Sequence, residues 1–219
     1  MWDSANTQMI VIGIFETLYM TLFSTFASYV IGLPLGVVLV VTEKNSILPI
    51  AWLNKLLNII VNILRSVPFL ILLIAVIPVT RAITGTTMGS TATVVPLVIA
   101  ATPFIARLVE SSIKEVDKGA VEAALSMGAS PLHIIYKVLI PESKPSLIVG
   151  AAIATTTILG YSAMAGIVGG GGLGDIAIRF GYYRYQNTIM IITVVLLVVL
   201  VQVLQEIGMK IAKLQDKRK

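Results

Sequence analysis

Long apolar runs alternate with short polar islands along this chain. Residues 9–41, 56–80, 91–109, 147–168 and 188–211 are almost wholly apolar. A helix needs about 20 such residues to cross a bilayer. The pattern predicts an all-α polytopic membrane protein with five transmembrane helices. The first run exceeds one crossing and is expected to tilt or to project beyond the bilayer. Asn45, Ser46 and Pro49 interrupt the pattern after it. Residues 47–55 then read as an interfacial helix leading into the second run.

The most structured polar island is 117–141. Asp117 is placed to cap a helix over 118–127, on which Val121, Ala124, Leu125 and Gly128 share one face. Gly128 suits the left-handed position that ends such a helix. Ser130 caps a second helix with Pro131 at its first position, and Leu132, Ile135, Tyr136 and Leu139 repeat the face spacing. Pro141 is expected to stop this helix, and Pro145 to start the fourth span. Two short amphipathic helices around a glycine turn make a rigid knob, and a rigid knob transmits force. His133 stands alone on a surface helix and carries no ligand role.

Composition narrows the class. Of 219 residues, 57% are hydrophobic and 12% charged, against about 25% charged in soluble domains. So little polar surface cannot cover so apolar an interior in water. Cysteine is absent, which excludes disulfides and thiolate metal sites. The start, MWDSANTQMI, lacks a basic region and a small-residue cleavage site, so the first run reads as a span and not a signal peptide. The net charge of +5 does not point to nucleic acid, because the basic residues are not interleaved with aromatics. They sort by loop instead. Lys44, Lys55, Lys114, Lys118, Lys137, Lys144, Lys210, Lys213, Lys217, Arg218 and Lys219 fall on one side of a five-span topology. Arg81, Arg179 and Arg184 fall on the other. The positive-inside rule puts the amino terminus outside, and the 117–141 island and carboxyl tail in the cytoplasm.

Several chemistries lack their residues. There is no Gly-x4-Gly-Lys-Ser/Thr phosphate loop, no His-Glu-x-x-His and no Gly-x-Ser-x-Gly. Gly169–Gly174 contains Gly-x-Gly-x-x-Gly but follows a span, with no βαβ pattern around it. One histidine and no cysteine leave zinc almost no ligands. Energy for any transport must come from a partner or an ion gradient.

Polar residues within the runs are candidates for a solute path. Lys55, Asn58, Asn62 and Arg65 recur as one stripe on the second run. Intramembrane arginine costs roughly 2.5–3.5 kcal/mol on insertion scales and usually faces protein or water. Arg65 is expected to snorkel or to pair with Glu110, and Arg107 to pair with Glu110 at i, i+3. Tyr161, Ser162 and Met164 precede a glycine-rich break and are further path candidates. Glu16 is expected at the interface, and Tyr182, Tyr183 and Tyr185 in an interfacial aromatic belt. Gly32-x3-Gly36, Ser162-x3-Gly166 and Gly166-x3-Gly170 are expected to seat intrachain helix contacts.

The order Glu122-Ala123-Ala124, three residues, Gly128, nine residues, Val138-Leu139-Ile140-Pro141 resembles the Glu-Ala-Ala loop of ABC-transporter permeases, with Val138 and Ile140 as conservative departures. Asn62–Phe69, Ala101–Glu110 and Gly160–Gly166 resemble the permease subunit of methionine ABC importers, with Ala165 where a glycine is common. The resemblance covers roughly 12–205 and implies a type I importer transmembrane domain there, with 206–219 as a basic tail. It implies that the 117–141 knob couples to a separate ATPase. Glu122 would be the polar anchor, Ala123 and Ala124 would allow close approach, Gly128 would set the turn and Pro141 would close the motif. It implies a second copy of this chain, two ATP-binding subunits that hold MgATP, and a lipid-anchored, extracytoplasmic methionine-binding protein. It implies uptake of L-methionine, and of the D form, across a bacterial cytoplasmic membrane by alternating access. No cofactor and no catalysis are expected in this chain itself. The alternatives are a permease for another amino acid or small polar solute, and a gradient-driven carrier. The latter usually shows inverted repeats and central ion-coupling acids, and neither is visible.

Overall fold

Inside a bilayer the backbone has no water to bond, so each spanning segment satisfies its own amides as helix. The computed structural model describes residues 4–215, and no strand occurs among them. The end of the basic tail, Lys217, Arg218 and Lys219, lies outside the described residues. Among the described residues four helices are long and apolar enough to cross a membrane, and a bent pair, counted as one span, makes five.

Helix α1, Ser4–Val41, is about 57 Å long at 1.5 Å per residue. It packs along α5, Ser90–Lys114, through its small residues. A Cβ on Gly32 would stand 2.8 Å from Ile105, and one on Gly36 would stand 2.6 Å from the Ala106 carbonyl oxygen. The Gly-x3-Gly pair is thus an intrachain seam. Helix α5 is central: Leu97, Ala101, Ile105 and Val109 are fully buried.

The second run is not one straight helix. α2, Ala51–Ser66, ends where Val67 adopts the extended backbone (ψ 124°) that a following proline favours. α3, Phe69–Ala75, then leaves at 102°, followed by α4, Ile77–Thr84. Nor is 47–55 a separate interfacial helix. Leu48 and Ile50 instead donate their amides back to Val41 and Thr42 at 2.9 and 3.1 Å. The chain doubles back on α1 before α2 starts at Ala51.

The island 117–141 holds α6, Lys118–Ser126, and α7, Pro131–Ile134. Here the structure corrects a further expectation: Pro141 does not stop the helix. A π-turn over Ile135–Leu139 joins α7 directly to α8, Ile140–Ala165, with Ile140 donating five residues back to Ile135. The π-turn absorbs an extra residue without a break. Pro141 then falls in the first turn of the new register, where a missing N–H is tolerated.

After α8 the chain reverses. A Cβ on Gly166 would collide with the Gly174 backbone, and one on Gly174 with Ala163. α9, Gly172–Ile176, therefore lies back against the end of α8, and the fourth span ends at Ala165. α10, Asn187–Gln215, completes the chain. One end of the molecule, called lower here, gathers the α1–α2 turn, α6, α7 and the end of α10. Ion pairing of Lys114 with Glu43, and a cleft shared by Glu115, Glu142, Ala212 and Lys213, mark it. The upper end gathers the start of α1, the α4–α5 turn and the 166–187 segment. The starts of α1 and the finish of α10 thus lie at opposite ends.

Candidate functional site

The knob at the lower end is built from local contacts. Asp117 Oδ1 accepts the amides of Gly119 at 2.6 Å and Ala120 at 3.3 Å. Gly128 takes φ +78°, the left-handed backbone that favours glycine. Its amide reaches Leu125 O at 2.9 Å, and Ala129 reaches Ala124 O at 3.1 Å, closing the turn as helix C-caps do. Ser130 Oγ accepts from His133 at 3.4 Å to start α7.

Burial divides the knob. Ala124, Ile134, Ile135 and Leu139 join Ile113 and Val116 at the foot of α5 in one apolar cluster. Glu122, Ala123, Gly128 and Pro141 are exposed. The face expected on the second helix is split: Ile134, Ile135 and Leu139 turn inward, whereas Leu132 and Tyr136 are exposed. The π-turn rotates the register between these residues. Leu125, Met127 at 81% exposure, Leu132 and Tyr136 leave the knob with an uncovered apolar surface. Glu122 lines a cleft of about 680 Å³ between α6 and the α1–α2 turn, facing Lys44 and Lys118.

Above the knob a polar ladder ties α5 to α1 and α2. Lys114 Nζ bridges Glu110 at 2.9 Å and Glu43 at 3.2 Å. Arg107 pairs with Glu110, as its spacing predicts, and donates to Asn62 Oδ1 at 2.8 Å. Arg65 is exposed and has no ion pair among the described residues, so Glu110 is not its partner. Asn58 donates to Asn54 Oδ1 at 2.9 Å, and Asn54 to Leu39 O at 2.7 Å and Thr42 Oγ1 at 3.1 Å. The asparagines near the start of α2 therefore latch it to the end of α1.

The other path candidates lie in the upper half. Tyr161 stacks flat on Phe69, with centroids 4.5 Å apart, which ties α8 to the bend between α2 and α3. The buried Ser162 hydroxyl donates to Leu159 O at 2.7 Å. Met164 is half-exposed. Tyr182, Tyr183 and Tyr185 are all exposed at the upper end.

The upper end also holds a polar cluster that the path candidates do not include. Glu16 does not simply face the interface: its Oε2 accepts the Gly172 amide at 2.7 Å. Thr17 Oγ1 accepts the Leu173 amide at 2.9 Å, and the Thr93 hydroxyl lies 3.0 Å from Gly170 O. Asp175 is buried and pairs with Arg179. Glu16, Thr80, Asp175 and Arg179 line a cavity of about 730 Å³. The sequence signals for it are an acid inside the first apolar run and a single acid in the glycine-rich stretch 160–187.

Residues 32–210 match the family described as binding-protein-dependent transport system inner membrane component. A Vibrio cholerae protein named probable D-methionine transport system permease protein MetI is 51% identical over 217 residues, spanning 99% of this chain and 96% of that protein. A Pasteurella multocida protein of the same name is 44% identical over 211 residues, spanning 96% and 97%. The fold superposes on a chain of the MetNI methionine ABC transporter, solved in inward facing conformations. The TM-score is 0.97 at 46% identity, over 99% of this chain and all of that one.

Proposed function

The chain belongs to the binding-protein-dependent transport system inner membrane component family, and from that premise we propose that it forms the membrane pathway for methionine in an ATP-driven importer. ATP is hydrolysed on a separate subunit, two copies of which sit below two copies of this chain. An extracytoplasmic binding protein delivers the solute from the upper side. The lower end faces the cytoplasm, a reading supported by eight described basic residues there, Lys44, Lys55, Lys114, Lys118, Lys137, Lys144, Lys210 and Lys213, against Arg81, Arg179 and Arg184 on the other side. The names of the relatives support methionine as the solute, and the D form by name.

The observation that carries this reading is the join between knob and span. α7 runs through the π-turn into α8 without a break, so a displacement of the knob is passed along the helix and not lost in a linker. The uncovered Leu125, Met127, Leu132 and Tyr136, with Glu122 beside them, offer an ATPase subunit an apolar patch and one anionic anchor. When nucleotide draws the ATPases together, the knobs move with them and α8 tilts against α5. Alternating access follows from that tilt.

The test is to purify the chain with its ATP-binding subunit and reconstitute it with the binding protein. Glu122→Arg is expected to keep the chain in the membrane but to separate ATP hydrolysis from methionine uptake. Coupled uptake at the wild-type level by this variant counts against the coupling assignment. A clear preference for a non-sulfur amino acid overturns methionine alone.

A further inference from the structure

We propose that the upper-end cavity is a binding site for the ammonium end of a zwitterionic amino acid with an apolar side chain; this rests on reading the chain as an amino-acid permease. The cavity, about 730 Å³, lies within the ~300–1,000 Å³ range of small-molecule sites. Its lining carries two buried polar atoms that find no partner among the described residues. Asp175 is 4% exposed; one carboxylate oxygen pairs with Arg179 and the other, Oδ1, has no partner among the described residues. Thr80 is also 4% exposed and its hydroxyl likewise has none among them. Folded proteins rarely leave buried polar atoms unpaired, because each was stripped of water for nothing in return. A ligand that donates to both restores the lost bonds.

Charge selects the ligand. Glu16 and Asp175 against Arg179 leave one net negative charge on the lining, so its two acids call for a positively charged group on the ligand. A hard metal ion needs six or more oxygens, or an octahedral cage, and no group of three acids or histidines occurs among the described residues. An ammonium needs only three acceptors, and Asp175 Oδ1, the Thr80 hydroxyl and Glu16 supply that number. Leu73 and Met88 add apolar wall for a side chain. Arg179 and Met88 are exposed at the rim, so the mouth opens at the upper end, and Arg179 is placed to meet the carboxylate of the same molecule.

The test uses the complex of this chain with its ATP-binding subunit, in nanodiscs and without the binding protein. Equilibrium binding of radiolabelled methionine is measured, with binding to the ATP-binding subunit alone subtracted. The competitors are 3-(methylthio)propylamine, which keeps only the amine, and 4-(methylthio)butanoate, which keeps only the carboxylate. The Thr80 hydroxyl bonds nothing among the described residues, so Thr80→Val is expected to fold and melt as the parent does. It should nevertheless weaken methionine binding about 5–10-fold, and the amine should compete where the butanoate does not. Unchanged affinity in folded Thr80→Val overturns the site, as does equal competition by both analogues or the absence of binding above the subtracted background. Displacement by sodium chloride but not by the amine overturns it in favour of a metal cation. Failure of the parent complex to drive ATP-dependent uptake is a different result and sinks the permease reading instead.

Discussion

Two glycine-turned segments, at opposite ends of the molecule, are held in opposite ways. The lower knob is closed by neighbours: Asp117 to Gly119, Ser130 to His133, Ala129 to Ala124. The upper loop is closed by strangers. Glu16 holds Gly172 and Thr17 holds Leu173 across 156 positions, and Thr93 reaches Gly170 across 77. A part that moves as a unit needs contacts that travel with it. A part that frames a cavity needs the surrounding helices to keep their places. The glycines differ in the same way. A Cβ on Gly128 meets open space, whereas a Cβ on Gly174 meets the Ala163 backbone.

The sharpest break of this comparison is Gly174→Val. The backbone it strikes cannot yield as a side-chain tip can, and a loss of about 3 kcal/mol or more is expected. It should appear as lost monodisperse protein or a collapsed melting transition in detergent. Thr17→Val strands the buried Leu173 amide at about 1–3 kcal/mol. Hydrogen exchange should rise in α9 and in the upper half of α1 together, because the contact belongs to both. Gly128→Val meets no clash and pays only the left-handed backbone, about 1–2 kcal/mol. Its melting point should move less than that of Gly174→Val, while uptake per ATP hydrolysed falls about tenfold, equivalent to ~1.4 kcal/mol of lost coupling. Equal destabilisation by the two glycine variants would erase the distinction between the ends. Asp117→Ala has the smallest reach: about 1 kcal/mol of local helix stability. Faster exchange should be confined to 118–126, and spread into α5 or α8 would mean the knob is not self-contained.

Much of this was legible beforehand, and the reason is the length scale of each signal. The runs at 9–41, 91–109 and 188–211 became Ser4–Val41, Ser90–Lys114 and Asn187–Gln215. Apolar length is a local property, and lipid leaves such a segment no alternative to helix. The caps Asp117 and Ser130 and the turn at Gly128 were readable for the same reason. Pro141 misled, because a proline usually ends a helix, and only the neighbouring π-turn lets the helix continue. The second run concealed a bend, since apolar composition does not show that the axis turns by 102° at Val67 and Pro68. Glu16 read as an interface residue because its partner is an amide 156 positions away.

The amino-acid order alone determined that the chain is helical, that it crosses a membrane, and that a capped, glycine-turned knob interrupts the crossings. Each of these follows from hydrogen bonds and apolar area within one turn or one span. Tertiary structure decided how the chain is seated after each interruption: α3 beneath Tyr161, the α7–α8 join on the foot of α5, α9 against α1. Those seats are set by which distant surfaces fit, through Phe69 on Tyr161, Ile134 and Leu139 clustered with Ile113, and Glu16 against Gly172. Such contacts pair residues too far apart in the chain for any local pattern to announce.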